Sequence, residues 1–314
     1  MPLTSTFTVG SLTCHTLEAG LQHLDGGAMF GVVPKPLWTR RIPADERNRI
    51  PLAMRCLLIE HAAGLILVDT GLGNKEDAKF HDIYGVVNAG TKGATQLEDA
   101  LAELGRRPED IDWVVNTHLH FDHAGGNTLA DGRVDAQSHR PSTTDMRPGD
   151  HASVRLAFPN ATYVVQRGEL DFARHTNERT RASYLPPNFD PVDRAGKWKL
   201  LDGPGEVFPG VSARLTPGHV PFHQSIVIKD GGETAIFLGD VMPTAAHLPL
   251  PWIMGYDLEP LRTLESKRAL LAQAGAEGWM FIFEHDASVA RGRAVSGAKG
   301  VELAEVVAAP VGGA

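Results

Sequence analysis

The chain has 314 residues, with 30 Lys and Arg against 38 Asp and Glu, and its formal charge of −8 disfavours nucleic-acid binding through a broad basic footprint. Hydrophobic residues at 42% and charged residues at 22% are the balance of a chain that buries a core, which excludes low-complexity and fibrous classes. Cys14 and Cys56 are too few for a disulfide framework, no run approaches the roughly 18 apolar residues of a membrane span, and MPLTSTFTVGSLTCHTL has no leader character, so a reducing, cytoplasmic setting is expected.

In chain order, residues 30–51 lack apolar periodicity and read as a long loop. Strands are predicted at 53–60 (AMRCLLIE) and 65–69 (LILVD), bounded by Gly, Pro or Asp. Residues 95–104 carry Leu97, Ala100, Leu101 and Leu104 at helical spacing, with Gly105 as the stop. A strand at 113–116 (WVVN) precedes a polar segment at 131–150 that reads as a second loop. Beyond it come a strand at 161–166, a helix at 167–175 and a third loop at 183–195. Strands at 212–216, 225–229 and 234–238, a helix at 258–274 and a strand at 279–283 complete the main pattern, and the Ala- and Val-rich tail reads as a short helix over 300–308. Strands in both halves with helices between them point to two sheets sandwiched between helix layers. No internal repeat is visible.

The histidines are unevenly spread. THLHFDHAGG, residues 117–126, follows a predicted strand and holds three His and one Asp within six positions. Alternation points His118, His120 and Asp122 to one side of an extended chain, and His123 to the other, so the chain must turn there, and Gly125 and Gly126 permit it. Two diverging pairs, His118 with His120 and Asp122 with His123, suit two neighbouring ions better than one, with Zn, Fe or Mn all compatible with imidazole and carboxylate donors. Further donors stand at the ends of other predicted strands: His219 in TPGHVPFH, Asp240 in LGD and His285 in FEHD.

In this order and at these separations the four motifs resemble the metallo-β-lactamase-fold hydrolases, and DTG at 69–71 matches that family's early strand-end aspartate. The resemblance spans about 52–286 and implies one domain over 1–314, an α/β fold of the four-layer αββα type, with its site at one edge of the sandwich. Carried over by position, His118, His120 and His219 would hold one metal, Asp122, His123 and His285 the other, and Asp240 would bridge them. Asp69 and His223 would support these ligands from behind.

His120 in place of a carboxylate argues against the family's di-iron flavoprotein branch, and Asp240 in place of Cys argues against β-lactam cleavage. The N-terminal region resembles the branch of N-acyl homoserine lactone lactonases and methyl parathion hydrolase. That resemblance implies two divalent ions, zinc first with Mn, Co or Fe as alternatives, a homodimer, and hydrolysis of a small lactone by a metal-bridging hydroxide. Asp122 would shuttle the proton. The best-known lactonases carry a Tyr three residues after the bridging Asp; Pro243 stands there in this chain, and His247 is offered as a substitute polar contact. Met29, Phe30, Trp38 and Phe189 are expected on the walls of an acyl or aryl pocket, with 30–51 and 131–150 as lid or interface insertions. Organophosphate triesterase or aryl esterase activity is the competing reading on the same site, and a mononuclear iron enzyme handling sulfur is the competing reading from another class.

Overall fold

The computed structural model describes residues 2–130, 154–298 and 300–310; the segment 131–150, expected as a loop, lies outside the described residues. The first half carries β1 (Thr4–Val9), β2 (Leu12–Asp25), β3 (Arg49–His61), β4 (Gly64–Val68), β5 (Trp113–Val115), β6 (Thr128–Ala130), β7 (Val154–Leu156), β8 (Thr162–Gln166) and β9 (Trp198–Leu201). The second carries β10 (Gly205–Phe208), β11 (Val211–Leu215), β12 (Gln224–Asp230), β13 (Glu233–Phe237), β14 (Met280–Ile282), β15 (Val289–Gly297) and β16 (Gly300–Ala308). The helices are α1 (Gly26–Phe30), α2 (Lys35–Trp38), α3 (Ala78–Tyr84), α4 (Gln96–Glu103), α5 (Phe121–Ala124), α6 (Arg167–Arg174), α7 (Asp190–Arg194) and α8 (Pro260–Glu277).

One seven-stranded sheet runs β1-β2-β3-β4-β5-β8-β9 and the other β10-β11-β12-β13-β14-β15-β16, with β6 and β7 as a separate pair. Period-two alternation explains the layering. Leu57, Ile59, Ile66 and Val68 face inward and meet Val211, Ile226, Ile228 and Phe237 of the opposing sheet. Cys56, Leu58 and Leu67 face outward beneath Leu97, Ala100 and Leu101 of α4. On the far side Ile236, Phe281 and Phe283 pack under Leu270, Leu271 and Ala274 of α8. The result is the expected helix–sheet–sheet–helix stack. Thr95 caps α4 by accepting from the Glu98 N–H, and Gly278 ends α8 at φ +68 in the left-handed conformation. Among the described residues no helix is long and apolar enough to cross a membrane.

Three expectations are corrected. The tail at 300–308 is strand β16, not a helix: Val301 and Leu303 pack against the α8 layer while Glu302 and Ala304 alternate with them, a period of two. The segment 30–51 contains α2 and the start of β3, and 183–195 contains α7, so neither is a plain loop. The strands β1 and β2 were not expected at all.

Gly125 and Gly126 also act differently from expectation. The chain turns through α5, with His120 as its N-cap, and Gly125 has ordinary helical angles of φ −58 and ψ −39. Close approach is what demands glycine: a Cβ at Gly125 or Gly126 would run into the Leu72 or Thr70 carbonyl oxygen. Gly126→Ala is therefore expected to cost roughly 2 kcal/mol or more by overpacking, measured as a lower urea midpoint with unchanged m-value.

Candidate metal centre

The parallel strands β4 and β5 end side by side, and the loops leaving them carry Asp69 and the THLHFDH segment. From the opposite sheet come His219 and His223 in the β11–β12 connection, Asp240 just after β13, and Glu284 and His285 just after β14. Two sheets thus deliver their strand ends to one edge.

The donors fall into two groups. Ligand atoms of His118, His120, His219 and Asp240 lie within 4.8 Å of one another, and so do those of Asp122, His123 and His285. Asp240 stands between the groups: its Oδ2 is 3.0 Å from His219 Nε2 and 3.6 Å from His123 Nε2, and its Oδ1 is 3.0 Å from His285 Nε2. His120 Nδ1 and His219 Nε2 are 3.1 Å apart, as are His123 Nε2 and His285 Nε2.

These residues fit a pair of cations. His118 Nε2 is buried without a hydrogen-bond partner, and Asp240 Oδ1 makes no aligned hydrogen bond despite its proximity to His285. Orphaned polar atoms at the centre of a buried cluster are costly unless something binds them. Imidazole nitrogen and carboxylate oxygen are the donor set of zinc and neighbouring transition metals. Charge agrees with geometry. Burial alone would lower the histidines, as it does for His118 and His120, held well below the usual range. At His219 burial is outweighed by Asp240 and then Asp257, raising it to about 10, and at His285 by Asp240 and then Glu284, raising it to about 9. The carboxylates call for positive charge at this spot.

Behind the donors lies a layer of hydrogen bonds that fixes each ring. Thr117 Oγ1 lies 3.1 Å from His118 Nδ1 and donates to Asp69 Oδ2 at 2.6 Å, while Asp69 Oδ1 accepts from the Thr117 N–H at 2.7 Å. His123 Nδ1 meets Asp69 Oδ2 at 3.1 Å and Glu284 Oε1 at 3.0 Å. His219 Nδ1 meets Asp257 Oδ1 at 3.1 Å, and His285 Nδ1 donates to the Ala53 carbonyl at 2.6 Å. His223 Nε2 accepts from the Asp240 N–H at 3.0 Å, which holds the shared carboxylate in place from behind. Asp69 and His223 thus lie behind the donor side chains. Asp69 takes φ +54, a left-handed conformation rare for a non-glycine residue.

A cavity of about 400 Å³ opens above the donors. His120, Asp122, His219, Asp240 and His285 reach it, and Leu24, Met29, Leu52, Met254 and Leu258 give it apolar walls. Of the expected wall residues Met29 is there, but Phe30, Trp38, Phe189 and His247 are not. Phe30 is buried between the stacked rings of Trp38 at 5.4 Å and His247 at 4.5 Å. His247 is tied to Thr244 Oγ1 at 2.7 Å and the Met29 carbonyl at 2.8 Å, and Phe189 is packed with Leu170 and Val220. These side chains anchor the loops that carry the wall instead of forming it.

Gln22, Glu169, Asp257 and Glu284 were missed by sequence reasoning. Gln22 Nε2 donates to Asp122 Oδ2. Glu169 is fully buried; its Oε1 accepts from the Leu119 N–H, between two donor histidines, at 3.0 Å and from Tyr184 Oη at 2.8 Å, and the Tyr184 ring lies 4.7 Å from that of His120. Glu284 at least adjoins His285 in FEHD; the other three carry no spacing signal. Glu169→Ala should cost roughly 3 kcal/mol by leaving two buried donors unpaired, whereas Glu169→Gln keeps an acceptor and should cost under about 1 kcal/mol. Burial pushes the Glu169 carboxyl up to about 7 from 4.5, so wild type should lose stability relative to the Gln variant as pH rises across that interval. Urea melts of both proteins at pH 4.5 and 7 check this.

Comparison with known proteins agrees with the geometry. The family model described as "Metallo-beta-lactamase superfamily" matches residues 51–285. An N-acyl homoserine lactonase from Bacillus sp is 30% identical over 251 residues, covering 77% of this chain and 85% of that protein. A probable metal-dependent hydrolase from Staphylococcus aureus superposes with a TM-score of 0.81 at 30% identity, over 96% of this chain and all of that one. An N-acyl homoserine lactone hydrolase, solved with N-hexanoyl-L-homoserine at its catalytic metal centre, superposes with a TM-score of 0.62 at 26% identity, over 89% of this chain and 94% of that one. With a match of this extent, the chain belongs to the metallo-beta-lactamase superfamily, in its lactonase-like branch of hydrolases.

Proposed function

We propose that this chain is a dinuclear metal-dependent hydrolase that opens lactone rings, N-acyl homoserine lactones first among them. The observation that carries the reading is the pair of donor groups sharing Asp240 at the floor of a largely apolar cavity. The substrates named for the lactonase relatives support the choice of ester.

In this reading His118, His120 and His219 hold one divalent ion, Asp122, His123 and His285 the other, and Asp240 serves both. Such ions, zinc or Mn, Co or Fe, bring a bound water's pKa toward neutrality and polarise an ester carbonyl. The chain's own contribution is orientation and proton handling. Gln22 fixes one oxygen of Asp122, leaving the carboxylate on the cavity wall, where it takes the proton lost by the attacking water and returns it to the departing ring oxygen. Leu24, Met29, Leu52, Met254 and Leu258 exclude water and receive the acyl chain.

The test is turnover of a panel of acyl homoserine lactones, aryl esters, organophosphate triesters and glutathione thioesters by metal-loaded protein, with metal analysis. About two ions per chain and lactones as the best substrates are expected. Failure on every lactone with turnover of triesters or aryl esters moves the substrate class, and one iron per chain points to oxidative chemistry instead.

A further inference from the structure

The chain has four tyrosines. Two have committed hydroxyls: Tyr163 donates to the Asn127 carbonyl at 3.1 Å and Tyr184 to Glu169 at 2.8 Å. The other two, Tyr84 and Tyr256, line the cavity, and among the described residues neither hydroxyl has a hydrogen-bond partner. Tyr84 is the last residue of α3, its ring held by Phe80 at 4.4 Å and by Phe121, the neighbour of Asp122, at 4.8 Å. Tyr256 enters from the segment carrying Met254 and Leu258 and is 40% exposed, so it stands toward the mouth. Burial raises both phenols, with the Asp122 carboxylate adding to it at Tyr84 and Asp25 at Tyr256, which is pushed up to about 12. They remain O–H donors at neutral pH.

We infer that Tyr84 and Tyr256 form a donor pair that selects substrates carrying a second carbonyl beside the scissile ester, the amide of an acylated amino lactone, over plain alkyl lactones. The inference rests on the lactone reading proposed above. The metal-binding floor is occupied with the scissile group, and of the other polar side chains on the lining Gln22 is bonded to Asp122, Arg179 to the Gly255 carbonyl and Thr180 to the Asn177 N–H, which leaves the two phenols and Ser183 to meet a second acceptor. A substrate that fills the cavity shields the two hydroxyls from solvent. A purely aliphatic ligand then leaves two desolvated donors unpaired, whereas an amide oxygen restores a bond. Sites built around such donors reject analogues that lack the acceptor more strongly than apolar pockets reject a missing methylene.

The experiment compares metal-loaded wild type, Tyr84→Phe, Tyr256→Phe and the double variant on N-hexanoyl homoserine lactone and on a γ-lactone with a plain alkyl chain of similar length, with metal content measured for each protein. Each single variant is expected to raise KM for the amide-bearing lactone about tenfold, with kcat changed by less than about threefold and KM for the alkyl lactone unchanged or lower. The double variant is expected to lose the preference. Equal changes on both substrates, or no change on either, overturns the inference while leaving the lactone reading intact. If wild type turns over neither lactone, that reading fails and this one with it. Should one variant not fold, the other single variant carries the same comparison.

Discussion

Asp240→Asn should lower turnover by roughly 10³-fold and reduce bound metal from about two ions per chain to one or fewer. Asn keeps the size of the side chain and its backbone N–H, which His223 Nε2 accepts at 3.0 Å, so the loop after β13 should stay in place. What disappears is the charge that faces His219 and His285 at 3.0 Å each and lies 3.6 Å from His123. Among the described residues no other carboxylate touches both donor groups; Asp122 belongs to one group, and of the donors Asp257 meets His219 alone, at Nδ1. The loss should therefore be felt at both ions. Asp257→Asn provides the contrast, since it loosens the orientation of one ring and should weaken metal binding about 10- to 100-fold without eliminating turnover under saturating metal. Metal analysis after dialysis, with kcat/KM at saturating zinc, separates the two variants. Equal metal retention and turnover in Asp240→Asn and wild type would remove Asp240 from the bridging role proposed for it.

The legibility of this site in the sequence followed from how each part is encoded. HxHxDH, and single residues ending apolar runs, are local signals, because a strand end fixes where the next side chain goes. That logic picks out His118, His120, Asp122, His123, His219, Asp240 and His285, while their division between two ions is what the family resemblance implies. β2 was not legible for a complementary reason. It is a strand of LTCHTLEAGLQHLD in which His15, Thr16, Glu18 and Gln22 are buried, so its inward polar residues erase the alternation by which strands are found. Two of those polar residues serve the site, Glu18 by pairing with Arg55 and Gln22 by holding Asp122, whereas His15 and Thr16 bond to Thr6 and to the Ser5 carbonyl of β1. Phe30, Trp38 and Phe189 show the opposite failure. A large aromatic in a Pro-broken segment looks the same whether it faces a ligand or pins the segment to the core, and only packing partners tell them apart. β16 was misread because Ala and Val runs satisfy both periods when short.

The second large effect lies below the site. Arg55, fully buried on β3, is paired with Glu18 through Nε–Oε1 at 2.6 Å and Nη2–Oε2 at 3.2 Å. Its other hydrogen bonds cross to the opposite sheet: Nη1 donates to the Phe283 carbonyl at 2.5 Å and Nη2 to the Asp286 carbonyl at 3.0 Å. These two carbonyls bracket Glu284 and His285, whose own backbone carbonyls accept from the Arg55 N–H at 3.2 Å and the Ala53 N–H at 3.0 Å. One guanidinium therefore clamps both sides of the turn that presents His285. Arg55→Met should destabilise the fold by about 3–5 kcal/mol, because Glu18 is left as an uncompensated buried charge. Adding Glu18→Leu removes that charge and should recover much of the loss, since a buried ion pair and a well-packed apolar pair are often close in stability. The double variant should not recover the clamp on the Phe283 and Asp286 carbonyls, so its metal content should stay below wild type even where its urea midpoint approaches it. A double variant that regained both stability and two tightly held ions would show that the turn carrying His285 stands without Arg55, and that the pair serves the sheet interface alone.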